Sequence, residues 1–204
     1  MQRLRVGVLG LGAFGESHLR AWRGLPNVEI VAVASRTPAR AEAIAATYGV
    51  PRWYGSHEEL IADPVVDAVS VTTAEHEHLA PVLAGLDAGK HVLVEKPIAT
   101  TLEDAAAMLE AASHSDGILM PGHVLRFAPA YAGLKEAVAS GRLGRLVAMS
   151  ARRNRQASLI QTHGRVHPAL ITALHDIDIM LWLAECDVTS VRAFDRIATR
   201  DDGA

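Results

Sequence analysis

The chain has a single cysteine, Cys186, in 204 residues, so no disulfide can form within it. No apolar run approaches the roughly 20 residues a membrane helix needs, and Met1 to Arg5 leads straight into a strand-like run with no signal-peptide core or cleavage site. These absences point to a reducing cytoplasm and to no membrane partner. An excess of one charge is missing too: 20 Lys and Arg face 23 Asp and Glu, a formal net charge of -3. The two signs are interspersed, leaving no basic patch for a nucleic-acid backbone and no polybasic stretch for anionic lipid. There is no internal repeat and no low-complexity tract. What remains is half apolar, enough to bury a core and too much for a disordered chain.

Short β-rich apolar runs alternate with longer Ala-, Glu- and Leu-rich helical patterns. Arg5 to Leu9, Val28 to Ala34, Val66 to Val71, His91 to Val94 and Ile118 to Met120 read as strands. Strands apolar on both faces and separated by helices predict a parallel sheet covered on each side. After Pro121 the rhythm changes. A helix is expected over Pro129 to Ala139, ending at Gly141, and a second from Pro168, with His167 as its cap, to about Glu185. The segments 145–154 ("RLVAMSARRN") and 187–195 ("DVTSVRAFD") alternate apolar and polar residues and are expected to be strands of an antiparallel sheet with one wet face.

"VGVLGLGAFGESH" carries Gly10, Gly12 and Gly15 as G-x-G-x-x-G, directly after the first strand and opening a helix. The three serve a tight turn, the approach of a pyrophosphate, and close helix-sheet packing. A helix N-terminus offers unpaired amides and a positive dipole to phosphate. Ala13 and Phe14, inside the loop, join the expected cofactor contacts. About twenty residues on, where an acidic side chain would hold the adenosine ribose of NAD, stand Ser35 and Arg36, with Arg40 a turn later. Without a carboxylate there, and with guanidinium groups able to grip a 2′-phosphate, NADP is favoured over NAD. The plain alternative is that both arginines are solvated charges at a helix start.

"HVLVEKPIAT", residues 91–100, ends a buried strand with Glu95, Lys96 and Pro97. In a doubly wound sheet ligands sit beyond the carboxyl ends of the strands, so this segment is expected at the nicotinamide half of the cofactor, with Lys96 exchanging a proton with a substrate hydroxyl. Pro97 would fix the turn, and an X-Pro bond tolerates the cis form. An ordinary Glu95–Lys96 surface pair is the alternative, weakened because neighbouring side chains on a strand point to opposite faces. In "ALHDIDIMLWL", residues 173–183, His175, Asp178 and Trp182 share one helical face while Leu174, Ile177 and Leu181 share another. His175 titrates near neutral pH and is a candidate proton acceptor, or else a packing histidine. His163, His167 and His175 have no convergent carboxylate or cysteine, so no metal site is expected.

Taken together, "GVLGLGAFGESHLRAW", "TTAEHEHLAPVLAGLDAGKHVLVEKPIATTLEDA", "RFAPAY" and "HDIDIMLWL" resemble the Gfo/Idh/MocA oxidoreductases in order and spacing along essentially the whole chain. The resemblance implies a Rossmann α/β domain over residues 1–120. It implies a smaller, shortened α+β domain with an open antiparallel sheet, for substrate binding and oligomerisation, over 121–204. It makes Lys96 and His175 catalytic, places Glu95 and Lys96 at the nicotinamide ribose, Thr72, Thr73 and His78 along the cofactor, and Tyr54 near the adenine. Arg126 would lie close to cofactor and substrate, and Asp178 would support His175. Lys96, Arg126, His167, His175 and Asp178 are the expected substrate contacts.

Two departures stand out. Sugar- and inositol-oxidising members carry an aspartate four residues before the histidine, which here is Ile171; His167 or His163 are the candidates to replace it. The family's second domain also runs through more strands than follow here, and a short open sheet calls for a partner, so a homo-oligomer is expected. The implied activity is NAD(P)-dependent hydride transfer to or from a sugar, nucleotide sugar or cyclitol. The rivals are a non-catalytic dinucleotide sensor and an NADPH-dependent reductase of a carbonyl, imine or trans-dihydrodiol.

Overall fold

The computed structural model describes residues 3–154 and 166–194. Six parallel strands form one sheet: β1 Leu4–Leu9, β2 Val28–Ala34, β3 Arg52–Tyr54, β4 Ala68–Val71, β5 His91–Val94 and β6 Leu119–Pro121, in the order β3-β2-β1-β4-β5-β6. This is the doubly wound order, with its switch point between β1 and β4, where the chain leaves one edge of the sheet and begins to build the other. Only β3 escapes the sequence reading. Three residues, flanked by Pro51 and Gly55, carry too little pattern to register as a strand.

The pleat sends Val6, Val8 and Val33 to one face, where α1 (Ala13–Arg23) and α2 (Pro38–Tyr48) cover them with Leu19, Ala41 and Ile44. Leu9, Ala32, Val69 and Val92 go to the other, under α3 (His57–Ala62), α4 (Leu79–Asp87) and α5 (Leu102–His114), which supply Leu60, Val82, Leu86 and Met108. Every one of these side chains is at most 7 % exposed, so the apolar-on-both-faces pattern of the strands reports a sheet sealed on both sides. Local signals set the helix starts. Ser56 accepts the Glu59 amide at 3.2 Å and Thr101 the Asp104 amide at 3.1 Å as N-caps.

The strands end together. Tyr54 pairs with Ala34, Ala34 with Leu9, Leu9 with Val71, Val71 with Val94, and Val94 with Pro121. Their successors Ser35, Gly10, Thr72, Glu95 and Gly122 therefore stand in one row along the carboxyl edge, which brings into one cleft residues up to 112 positions apart in the chain.

Beyond the sheet, α6 spans Pro129–Ala139, the helix expected there, with Pro129 at its first position and Gly141 in the left-handed region just past its end. The helix expected from Pro168 opens as a π-helical turn, Ala169–Ala173, and becomes regular as α7, Leu174–Ala184. Its buried side is Asp178, Ile179 and Leu183, while Ile177 and Leu181 stay nearly half exposed. The two expected antiparallel strands are not formed. Residues 145–154 and 187–194 pair with nothing as a ladder and are almost wholly exposed, and alternation makes a strand only where a neighbour supplies hydrogen bonds. Residue 195 and His163 lie outside the described residues. No helix among the described residues is long and apolar enough to cross a membrane.

Candidate active site

The glycine loop occupies the turn from β1 into α1. Gly10 has φ +86°, and a Cβ there would lie 2.6 Å from the Thr73 amide nitrogen. At Gly15 a Cβ would lie 2.0 Å from the Gly10 carbonyl oxygen, so helix and loop touch backbone to backbone. Gly12 is different: a Cβ there would meet nothing within 4 Å. It caps α1, whose first amides have no intrahelical acceptor, and the space above it is an open cradle. Thr72 locks the loop from β4, its hydroxyl within 2.8 Å of the Leu9 carbonyl and 2.6 Å of the Gly10 carbonyl. Next to it the Thr73 hydroxyl is buried and has no hydrogen-bond partner among the described residues. An open cradle at a helix N-terminus and an orphaned hydroxyl in the same cleft fit a dinucleotide with its pyrophosphate over Gly12 to Gly15.

A cavity of about 70 Å³ lies beside the loop, lined by Phe14, Thr72, Thr73, Glu75, His78, Glu95, Lys96 and Ile171. The Lys96–Pro97 bond is cis. His78, 1 % exposed, bridges the Pro97 carbonyl at 3.0 Å and the Thr73 carbonyl at 3.3 Å, tying the turn after β5 to the loop after β4. Glu95 accepts the Lys96 amide at 3.1 Å and reaches His18 Nε2 at 3.0 Å. Burial pushes the Glu95 carboxyl up, but the hydrogen bond and charge of His18, followed by the Lys96 amide and ammonium, hold it below the ordinary value. The Lys96 Nζ donates to the Ile171 carbonyl at 3.3 Å. The π-helical turn thus presents a backbone oxygen to Lys96 while the Ile171 side chain, 7 % exposed, forms an apolar patch of wall.

His175, in the first turn of α7, is half-buried. Burial, then the charges of Lys96 and Arg153, push its imidazole below the ordinary value, against the pull of Asp176 and Glu95. Neutral at physiological pH, it can accept a proton. Arg153 is itself held by Asp176 through contacts of 2.7 and 2.8 Å.

Several expected residues stand elsewhere. Asp178 does not bond His175: Arg126 grips it with both nitrogens, at 2.5 and 3.0 Å, because the helical twist turns residue 178 inward against the segment that follows β6. Arg126 lies over the Trp182 ring, 5.9 Å from its centre. Arg40 is committed to the Leu11 carbonyl at 2.9 Å and to Glu16 at 2.8 Å, and so braces the glycine loop instead of facing a ribose. Arg36, 83 % exposed, pairs with Glu77 at 2.6 Å, and Ser35 accepts the Thr37 amide. The Tyr54 hydroxyl turns to Asp63 at 2.9 Å with its ring against the core. His167 takes the Ala169 amide at 3.1 Å, as a cap does.

Sequence reasoning overlooked His18 and Glu75. His18 lies one turn beyond Gly15, on the face that packs against the sheet, and a histidine on a buried helical face was its signal. Glu75, 9 % exposed, sits in a short 3₁₀ turn with no periodicity to reveal it.

The family described as "Oxidoreductase family, NAD-binding Rossmann fold", GFO_IDH_MocA, matches residues 4–123. An inositol 2-dehydrogenase of Acidothermus cellulolyticus is 37% identical over 194 residues, 93% of this chain and 56% of the relative. A 1,5-anhydro-D-fructose reductase of Ensifer adhaerens is 44% identical over 120 residues, 59% of this chain and 36% of the relative. The crystal structure of a probable dehydrogenase from Thermotoga maritima superposes with a TM-score of 0.81 at 31% identity, covering 91% of this chain and 56% of that one. The chain spans about half the length of the curated relatives it matches.

Proposed function

This chain belongs to the GFO_IDH_MocA oxidoreductases, the family with an NAD-binding Rossmann fold, and on that premise we propose that it handles the proton when hydride passes between a nicotinamide dinucleotide and a secondary alcohol or ketone of a small polyol. Residues 1–120 would be the dinucleotide domain and 121–204 part of the substrate domain. The observation that carries the reading is geometric: Lys96 lines the cavity beside the glycine loop and its Nζ donates at 3.3 Å to the Ile171 carbonyl, on the π-helical turn that leads directly into the first turn of α7, where His175 stands.

The bound dinucleotide supplies the hydride acceptor or donor. Gly12 and the N-terminal amides of α1 hold its phosphates, and the Thr73 hydroxyl is available to it as a donor. Lys96 Nζ, held by the Ile171 carbonyl, hydrogen-bonds the substrate oxygen. As the alcohol is oxidised its hydroxyl proton passes to His175, and in reduction the imidazolium returns it. Arg126 and Asp178 hold α7, and with it His175, against the segment after β6.

Sugars and cyclitols are the substrate class favoured by the relatives, one named for inositol and one for an anhydro-sugar. Ile171 supports a reductase of a less hydroxylated carbonyl as the second reading, because an apolar wall beside Lys96 offers no acceptor to a neighbouring hydroxyl. For the cofactor, Arg36 alone remains for a 2′-phosphate. Its exposed pairing with Glu77 is worth about 0–1 kcal/mol, so a phosphate can displace it, and NADP stays favoured. The test is titration of the 204-residue chain with NADPH and NADH, then absorbance of the reduced nicotinamide against inositols, sugars, nucleotide sugars and simple ketones. Binding with turnover on a polyol supports the proposal, turnover only on carbonyls lacking neighbouring hydroxyls supports the second reading, and binding with no turnover on either leaves a dinucleotide-binding protein without this chemistry.

A further inference from the structure

A buried chain of hydrogen bonds runs beneath the cleft and joins three elements. The Ser70 hydroxyl on β4 lies 2.7 Å from His18 Nδ1 on α1; His18 Nε2 lies 3.0 Å from Glu95 Oε1, and the other Glu95 oxygen accepts the Lys96 amide at 3.1 Å. An ionised carboxylate only accepts, so Nε2 donates to it, and the serine hydroxyl, which can both donate and accept, satisfies Nδ1. Ser70 is fully buried, and the side chains of His18 and Glu95 are 16 % and 12 % exposed. Gly122 lies against the same carboxylate: an added Cβ there would sit 3.3 Å from Oε1, so a larger residue at 122 would press on the Glu95 end of this chain.

We infer that His18 is a positioning residue for Lys96, clamping Glu95 so that the carboxylate fixes the backbone of the catalytic lysine and ties it to the helix beneath the dinucleotide phosphates. The inference rests on the oxidoreductase reading and deepens it. His18 touches neither substrate nor cofactor; it acts through Glu95. The charged and titratable groups around Glu95 are His18 from α1, Lys96 on its own strand end, His175 from α7, and Glu75 and His78 across the cavity. Among these His18 gives the strongest support to the ionised carboxylate. Without that bond, burial favours the protonated form, which donates where Glu95 must accept.

Two variants separate the clamp from packing. In His18→Gln an amide nitrogen can still donate to Glu95 while the contact with Ser70 is lost; in His18→Asn the side chain is too short for Glu95 and keeps only the Ser70 side. Three readouts are taken on the full chain: the Glu95 titration by carboxyl-carbon NMR, assigned with Glu95→Gln; NADPH affinity by fluorescence; and turnover of whichever panel substrate the wild type accepts. The expected result is that His18→Asn moves the Glu95 titration upward and lowers kcat about tenfold or more, with the NADPH dissociation constant changed less than about threefold, while His18→Gln stays near wild type in all three. An unmoved Glu95 titration in His18→Asn, equal losses in both variants, or an affinity loss matching the loss of kcat overturns the inference. A wild-type chain that turns over nothing defeats the oxidoreductase reading instead, and the NMR titration still decides whether His18 clamps Glu95.

Discussion

Two glycines three residues apart should fail in opposite ways when changed to alanine. At Gly12 the new methyl meets nothing within 4 Å and the backbone, φ -78° and ψ -166°, suits any residue. The folded state loses only the advantage of glycine over alanine at an N-cap, at most about 1 kcal/mol, or about 2–4 °C in Tm for a chain of this size. The same methyl points into the cradle where phosphate has to approach the amides, so dinucleotide affinity should fall about tenfold or more, the roughly 1.4 kcal/mol of one charge-assisted hydrogen bond. At Gly15 the methyl would lie 2.0 Å from the Gly10 carbonyl oxygen, a backbone atom that cannot rotate away. Helix and loop must then separate, an overpacking cost of about 1–3 kcal/mol, or about 2–12 °C in Tm. Thermal melting by circular dichroism and NADPH titration by fluorescence, run on both variants, give four numbers. Gly12→Ala binding as tightly as wild type, or Gly15→Ala melting at the wild-type temperature, would refute the assignment of cradle and contact.

Lys96→Ala should lower turnover about a hundredfold or more while dinucleotide affinity stays near wild type; steady-state kinetics beside NADPH titration check it, and unchanged turnover removes the catalytic role. Because the His175 imidazole is pushed below its ordinary value, kcat/KM for alcohol oxidation should be level at pH 7 and fall only as pH drops below about 6.5, the unperturbed histidine value; His175→Asn should abolish that acid limb in a pH–rate profile. Arg36→Ala should cost about tenfold in NADPH affinity relative to NADH, and Glu77→Gln, by freeing Arg36 from its pair, should improve NADPH binding, both read by titration. Asp67, held below the ordinary carboxylate range by its hydrogen bonds to Arg5, contributes stability that is present above about pH 3.9 and lost as pH falls through its lower folded-state value. Asp67→Asn should therefore lower Tm at pH 7, and the gap from wild type should close toward pH 2 in melts across pH.

By itself the sequence determined what local chemistry can write. Strands apolar on both faces alternating with helices meant a covered parallel sheet, glycines at fixed offsets after the first strand meant a phosphate-binding turn, and Glu95-Lys96-Pro97 at the end of a strand meant a group held out at the sheet's carboxyl edge. Pro129 and Gly141 marked the two ends of α6 because each acts through its own backbone angles. Tertiary structure decided everything that depends on who stands opposite. Alternation at 145–154 and 187–194 gave no strands because a ladder needs a neighbour. Arg40 looked like a phosphate ligand by position, yet the Leu11 carbonyl and Glu16 reach it first. Asp178 shares a helical face with His175, but the packing of α7 hands it to Arg126. His18, which the glycine motif does not mark, meets Ser70 and Glu95, 52 and 77 positions away, only because the sheet brings β4 and the end of β5 alongside the helix that follows β1. Backbone propensity and burial pattern are properties of a segment, whereas the partner of a charge or a hydrogen bond is a property of the fold, and the chemistry of this cleft is made of partners.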